Sequence, residues 1–342
     1  MLKNTITKND PQNQFKVLKE SYMQVDDAWK NKVDLSKIET INLSAVLICG
    51  LGGSAISGEL LSDFLSDEIK IPIIVNRNYS LPSFINKNWL VIISSYSGNT
   101  EETVSCFEHA LKMNVKIVVI SSDGKVEKIA NQNSIKHIKI KSGFQPRYAL
   151  GLGFFTLLKI FQELKLIKKQ DEIVISISKL WKERADEYSL KENNALKIAE
   201  KLVGFIPVIY SSGHLSSAGY RFKCQLNENS KVHAFHHIIP EMNHNEIIGW
   251  ETQTEKKFNP KIIFLHDNEY HSQIKKRYSV FSEFAASKGV EVISLTSSEK
   301  NFRVRIMDLI YLSDWISFYL AVLRGFDPSE IDFIREMKKR LV

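Results

Sequence analysis

Two stretches of this chain follow one plan. VLICGLGGSAISG from Val46 and VIYSSGHLSSAGY from Val208 each run from an apolar strand through a turn of small residues into a helix opened by serine, with Ser54 and Ser216 at matching places. An internal repeat of domain size means two copies of one α/β unit, and 342 residues exceed the usual span of one hydrophobic core. β-branched runs predict strands at Ala45–Cys49, Ile73–Val75, Trp89–Ser94, Val115–Ile120 and Ile135–Ile140, with helices after Ser54, Thr100 and Val126 and an N-terminal helix over 15–31. The second copy adds strands at Pro207–Tyr210, Lys261–Leu265 and Val290–Leu295, a helix from Ser216 and another over Val304–Leu323. A helical region over 150–190, broken at 169–171, joins the copies, and the tail after Asp327-Pro328 forms a last helix. Such alternation is the pattern of a doubly wound parallel sheet. The expected architecture is two of these domains in tandem, 1–190 and 191–342, the second ending in a C-terminal helix.

Composition narrows the function. The net charge is +7, yet the lysines are scattered and no basic run with interleaved aromatics appears, so no nucleic-acid partner is expected. The excess suits steering of an anionic substrate. Cys49, Cys106 and Cys224 are odd in number and lack CxxC or Cys/His spacing, which fits a reducing cytoplasm and neither a disulfide framework nor structural zinc. Tyr148–Phe161 is taken as the most apolar stretch; it is too short and too interrupted by glycine to cross a bilayer, so no membrane segment is expected. The polar segment Met1–Gln14 carries no export signal.

Gly50-Leu51-Gly52-Gly53-Ser54 follows a buried strand and opens a helix. It is either a tight turn or an anion site in which backbone N–H groups and the Ser54 hydroxyl face a ligand. The glycines do not fit GxGxxG with an acidic residue ending the next strand, which sets a dinucleotide aside. Ser94-Ser95-Tyr96-Ser97-Gly98-Asn99-Thr100-Glu101-Glu102 follows another buried strand and opens another helix. One hydroxyl would cap that helix; Ser95, Ser97 and Thr100 supply more neutral donors than a cap needs, and they suit a phosphate monoester that must be released each turnover. Neither loop holds a Lys and GxxxxGK[ST] is absent, so the ligand phosphate is single rather than part of a triphosphate.

GGSAISG and SSYSGNTEET resemble the signature of the sugar isomerase (SIS) domain. With the later segments NENSK and PEMNHNE, the chain resembles the bifunctional phosphoglucose/phosphomannose isomerase family over nearly its full length. The resemblance implies two SIS-type, flavodoxin-like domains. It also implies interconversion of glucose 6-phosphate or mannose 6-phosphate with fructose 6-phosphate through a cis-enediol, without metal or cofactor, in a homodimer. It places phosphate on Gly52, Gly53, Ser54, Ser95, Ser97 and Thr100. A sugar-phosphate sensor that regulates a partner is the alternative on the same fold.

Isomerisation by proton transfer needs ring opening, a base that moves a proton between C1 and C2, and a cation for the enediolate. Taken alone, Glu228 in Asn227-Glu228-Asn229 is a cap, a solvent-facing carboxylate or a base; the resemblance makes it the base, for which partial burial would lift its pKa. His244, between Asn243 and Asn245, is by itself a packing, capping or catalytic residue. The resemblance makes it the acid and base that opens the ring and has it reach into the partner subunit's site. Arg147, before a helix, makes either a salt bridge or, by resemblance, the enediolate contact. Lys338 is a solvated helix lysine or the family's C-terminal site lysine, with Lys339 leaving the register open. His233, His236 and His237 have no known ligand spacing, so no metal is expected. Phe264-Leu265-His266-Asp267 stands where a second SSYSGNT loop would come, so only the first copy is expected to hold phosphate.

Overall fold

The computed structural model describes residues 2–253 and 258–341. Contacts divide the chain into two compact units, Ser21–Lys179 and Leu180–Val342 together with Met1–Glu20. The helix Asp171–Tyr188 runs across that division, which falls before the 190/191 boundary drawn from the sequence. The first twenty residues join the later unit for a local reason. Phe15 meets Trp315 edge-on at 5.3 Å, the Tyr311 hydroxyl donates to Leu18 O at 2.6 Å and Asn9 Nδ2 donates to Val322 O at 3.1 Å. The expected helix over 15–31 is two helices, Gln14–Lys19 and Ser21–Lys30, and the polar start contains a further helix, Leu2–Asn9. The buried Asp10 carboxylate caps the start of Gln14–Lys19 and parts it from Leu2–Asn9, accepting from Gln14 N at 2.7 Å and Phe15 N at 2.8 Å.

In the unit Ser21–Lys179, β1 (Ala45–Cys49), β2 (Ile73–Asn76), β3 (Trp89–Ser94), β4 (Lys116–Ser121) and β5 (Lys136–Lys139) form a parallel sheet of order β2-β1-β3-β4-β5. The central strands are apolar throughout because helices cover both faces, the usual reason for unbroken β-branched runs in parallel sheets. Leu47, Val91, Ile93 and Val119 pack with Phe107, Ala110 and Val126 of the helices Glu101–Leu111 and Lys125–Gln132. On the other face the helix Gly53–Phe64 lies against Ile48 and Val75.

In the other unit β6 (Ile206–Ser211), β7 (Phe235–Ile238), β8 (Pro260–Leu265) and β9 (Val292–Leu295) form a parallel sheet of order β7-β6-β8-β9. That is the order β2-β1-β3-β4 over again, so the repeat seen in the sequence is a repeat of topology. Its core helix is Phe302–Leu323, and here the reading of Tyr148–Phe161 as the most apolar stretch is corrected. Phe302–Leu323 is long and apolar enough to cross a membrane, with mean hydropathy 1.5, and 94% of that window is buried inside the protein. It packs against the helices Asn194–Leu202 and Ser216–Ser230, and it carries charges matched internally: Asp314 takes Arg221 Nη2 at 2.7 Å, and Asp308 takes Arg184 Nε at 2.9 Å.

At the end of β8, where a second phosphate loop would come, Asp267 fills the space. Its carboxylate accepts from Arg305 Nε at 2.7 Å and Nη2 at 3.0 Å and lies 3.1 Å from His214 Nε2. Burial pushes this carboxyl up, but the His214 and Arg305 contacts outweigh it and hold it well below the usual carboxylate range. A depressed carboxyl adds stability in full above its unfolded pKa of about 3.9 and loses it as pH falls toward the folded value. Asp267→Asn leaves buried Arg305 with only the exposed Glu269 carboxylate, 2.9 Å from its Nη2, as an anionic partner, so it should cost about 3 kcal/mol at pH 7. The gap from the unaltered protein should close in urea melts as the pH is lowered below about 4.

Candidate active site

The β1–β3 junction is the place where strand order reverses, the crevice in which open α/β sheets bind ligands. Both loops singled out in the sequence end there. The helix Gly53–Phe64 begins after Gly52 and the helix Glu101–Leu111 after Thr100, and neither N-cap residue makes a side-chain cap bond, so orphan N–H groups and spare hydroxyls face the same end of the sheet. Gly52 has φ 53°, a left-handed conformation. The loops are joined: Tyr96 N donates to Ser54 Oγ at 3.3 Å. Ser95 is buried and its hydroxyl donates to Thr100 Oγ1 at 3.0 Å, whereas Ser97 is exposed and Thr100 half-exposed. Ser97 Oγ accepts from Asn99 N at 3.3 Å. Gly98, at φ 67°, rests so close to the next loop that a Cβ would sit 1.6 Å from Asp123 O, which fixes glycine in SYSGNT.

Arg147 sits in a short 3₁₀ turn, Pro146–Tyr148, and is buried. A Cβ on Gly53 would be 3.1 Å from Pro146 O and 3.8 Å from Arg147 Cα, so this turn abuts the turn that opens the helix Gly53–Phe64. A single cavity is lined by Gly53, Ser54, Ser94, Tyr96 and Pro146 together. Tyr96 lines this cavity and was passed over in the sequence reading: its hydroxyl accepts from Phe144 N at 2.9 Å and donates to Lys141 O at 3.1 Å, tying the loop to the segment just before Arg147. Its place in the middle of the SSYSGNT string was the available signal.

Glu228, His244 and Lys338 belong to the other unit. Glu228 is half-buried in the last turn of the helix Ser216–Ser230. That end is anchored: Asn229 Nδ2 donates to Ser317 Oγ at 3.0 Å, Ser230 Oγ to Ser317 O at 2.7 Å, and Lys231 Nζ to the Glu228 carbonyl at 2.9 Å. His244 closes the 3₁₀ turn Glu241–His244 and is exposed. Lys338 and Lys339 lie in the helix Asp332–Arg340, all of it exposed, so exposure does not separate the two registers. The three histidines weighed as metal ligands go separate ways. His236 is half-buried against Ser211 Oγ at 2.7 Å with its pKa pushed down to about 4 by desolvation, His237 Nδ1 lies 3.1 Å from Glu246 Oε2, and His233 lines a surface pocket with Lys223 and Asn227. Among the described residues no three His, Cys, Asp or Glu side chains are grouped to hold a metal ion.

Comparison with known proteins adds to this geometry. Residues 191–341 match the family described as bacterial phospho-glucose isomerase C-terminal SIS domain. The chain is 37% identical over 332 residues to the bifunctional phosphoglucose/phosphomannose isomerase of Caldicellulosiruptor bescii, covering 94% of this chain and 98% of that one. It is 35% identical over 329 residues to the protein of the same name from Aquifex aeolicus, covering 96% and 98%. Among solved structures, a hypothetical protein from Thermus thermophilus aligns with TM-score 0.74 over 100% of this chain and 94% of that one at 14% identity, a likeness of fold.

Proposed function

The chain belongs to the bifunctional phosphoglucose/phosphomannose isomerase family and is a phosphosugar isomerase, and from that premise we propose a division of labour between its two units. The first unit holds the substrate phosphate and the second supplies the proton chemistry. The observation that carries this is the pair of helix N-termini at the β1–β3 junction, which lack side-chain caps and are bordered by the hydroxyls of Ser54, Ser97 and Thr100. Ser95 supports Thr100 from behind, and the N–H groups at Gly52 and Gly53 complete the cradle. The second unit's equivalent place carries Asp267, an internal anion already paired with Arg305, which supports a single phosphate site per chain.

His244 opens the pyranose ring by moving a proton between the ring oxygen and the C1 hydroxyl. Glu228 then takes the C2 proton of the open aldose and returns it to C1 while the O2 hydroxyl proton passes to O1, giving the ketose. The guanidinium of Arg147 balances the charge that builds on the enediolate oxygens, the term that lowers such barriers most. Lys338 adds a second cation from the last helix. The enediol is planar at C2, so glucose 6-phosphate and mannose 6-phosphate pass through one intermediate and one site serves both epimers.

The exposure of His244 supports a homodimer in which it serves the partner's site; Phe235, Ile238 and Ile248, near it in the chain, are exposed apolar side chains of the kind a subunit interface covers. The described cysteines are free thiols, which suits the cytoplasm. A coupled assay on fructose 6-phosphate and mannose 6-phosphate tests the activity. Mixing inactive Glu228→Gln and inactive His244→Ala subunits tests the shared site. Activity should return in the mixture, because one hybrid site then holds both native residues; no recovery after proven subunit exchange would rule the sharing out.

A further inference from the structure

The segment Pro240–Trp250 carries His244 but has little backbone attachment to its sheet. Ile239 N donates to Ser211 O at 2.9 Å and Ser212 Oγ to Ile239 O at 2.7 Å. Beyond that point, among the described residues, the segment's backbone bonds are local, closing the 3₁₀ turns Glu241–His244 and Glu246–Trp250. Burial of Met242 and Trp250 holds it down without fixing its angle, since apolar contact is non-directional. Two directional side-chain contacts do fix an angle: Arg277 Nη1 donates to Asn243 Oδ1 at 3.3 Å, and a larger cluster surrounds Glu246. The hydroxyl of Tyr210, a buried residue on β6, donates to Glu246 Oε1 at 2.5 Å and accepts from Trp250 Nε1 at 3.0 Å. His237 on β7 places Nδ1 3.1 Å from Glu246 Oε2. Glu246 N donates in turn to Asn245 Oδ1 at 2.6 Å, and Asn245 Nδ2 to Glu241 Oε1 at 3.1 Å. The Tyr210 ring is itself held, edge-on to Phe281 at 5.1 Å.

We propose that Glu246 is a positioning residue for the isomerisation, clamping the His244 segment to β6 and β7 through Tyr210 and His237. One carboxylate receives a fixed hydroxyl on one oxygen and has an imidazole nitrogen 3.1 Å from the other, so the turn bearing His244 keeps one orientation relative to its sheet. The effect on turnover rests on the role given to His244; the clamp itself does not.

Three variants separate the possibilities. Glu246→Ala removes both contacts and should lower kcat about 10²-fold, as misplacement of a reacting group does, with KM for fructose 6-phosphate within about twofold because the phosphate loops lie in the other unit. Glu246→Gln keeps an oxygen for the Tyr210 hydroxyl and offers an amide N–H to His237, so it should recover most of the activity. Tyr210→Phe removes one hydroxyl while keeping the ring, and should reproduce the kcat loss if Glu246→Ala fails to fold. Deuterium exchange of the amides over 241–250 should speed up in Glu246→Ala whatever its activity, with the exchange of β6 and β8 unchanged. Wild-type exchange in that segment overturns the proposal. So does wild-type kcat in both Glu246→Ala and Tyr210→Phe while His244→Ala is inactive. A fully active His244→Ala would instead overturn the role of His244, leaving the exchange experiment to decide the clamp.

Discussion

Glu228→Gln is expected to lower kcat about 10²–10⁴-fold on both aldose and ketose substrates, with KM changed by no more than about twofold. The substitution is isosteric and removes the negative charge, and with it the ability to take a proton. The end of the helix that carries residue 228 is held through groups the substitution leaves alone: the 228 carbonyl bonded to Lys231 Nζ, Asn229 bonded to Ser317, and Ser230 bonded to the 317 carbonyl. A loss of kcat in this variant is therefore a loss of chemistry. Steady-state rates in both directions, with urea melts as the control on folding, make the measurement. Near-native turnover would remove Glu228 from the role of base, and a large rise in KM with kcat intact would move it to substrate binding.

How much of this was legible in the sequence depended on how local each signal was. β1 and β3 could be placed to the residue, because they are runs of apolar residues buried on both faces and bounded by small-residue turns. β7 was not found: Phe235-His236-His237-Ile238 is a mostly exposed edge strand, and its histidines drew attention to metal spacing instead of to a strand. The helix Leu2–Asn9 has a polar sequence in which only Leu2 and Ile6, one turn apart, are apolar, too short a stripe to reveal it. The two loops proposed to hold phosphate stood out for the opposite reason, since the glycines, the hydroxyls and the helix starts they serve are adjacent in the chain. The Asp267–Arg305 pair and the Tyr210–Glu246 bond join residues 38 and 36 positions apart, and no spacing rule links them. Glu246 stood in the quoted PEMNHNE segment, yet only the fold supplied the tyrosine that gives it a task.

The double substitution Ser97→Ala with Thr100→Ala should raise KM for every sugar phosphate substrate by about 10²–10⁴, since each hydrogen bond to a charged group is worth about 1.5–3 kcal/mol and a factor of ten is about 1.4 kcal/mol. The competing explanation is a loosened loop, because Thr100 Oγ1 also accepts from buried Ser95 and Ser97 Oγ also accepts from Asn99 N. Ser95→Ala separates the two. It breaks the same Ser95–Thr100 bond from behind while leaving both outward hydroxyls in place, so it should lower thermal stability and raise KM far less than the double substitution does. Gly98 keeps the loop's path in all three proteins, since its close approach to Asp123 O does not involve any of the altered side chains. Inorganic phosphate provides a readout free of the sugar: its inhibition constant should rise in parallel with KM in the double variant. Unchanged KM and unchanged phosphate inhibition in a folded Ser97→Ala, Thr100→Ala protein would place the phosphate away from the β1–β3 junction. Equal KM effects from Ser95→Ala alone would show that loop shape, and not the two hydroxyls, carries the binding.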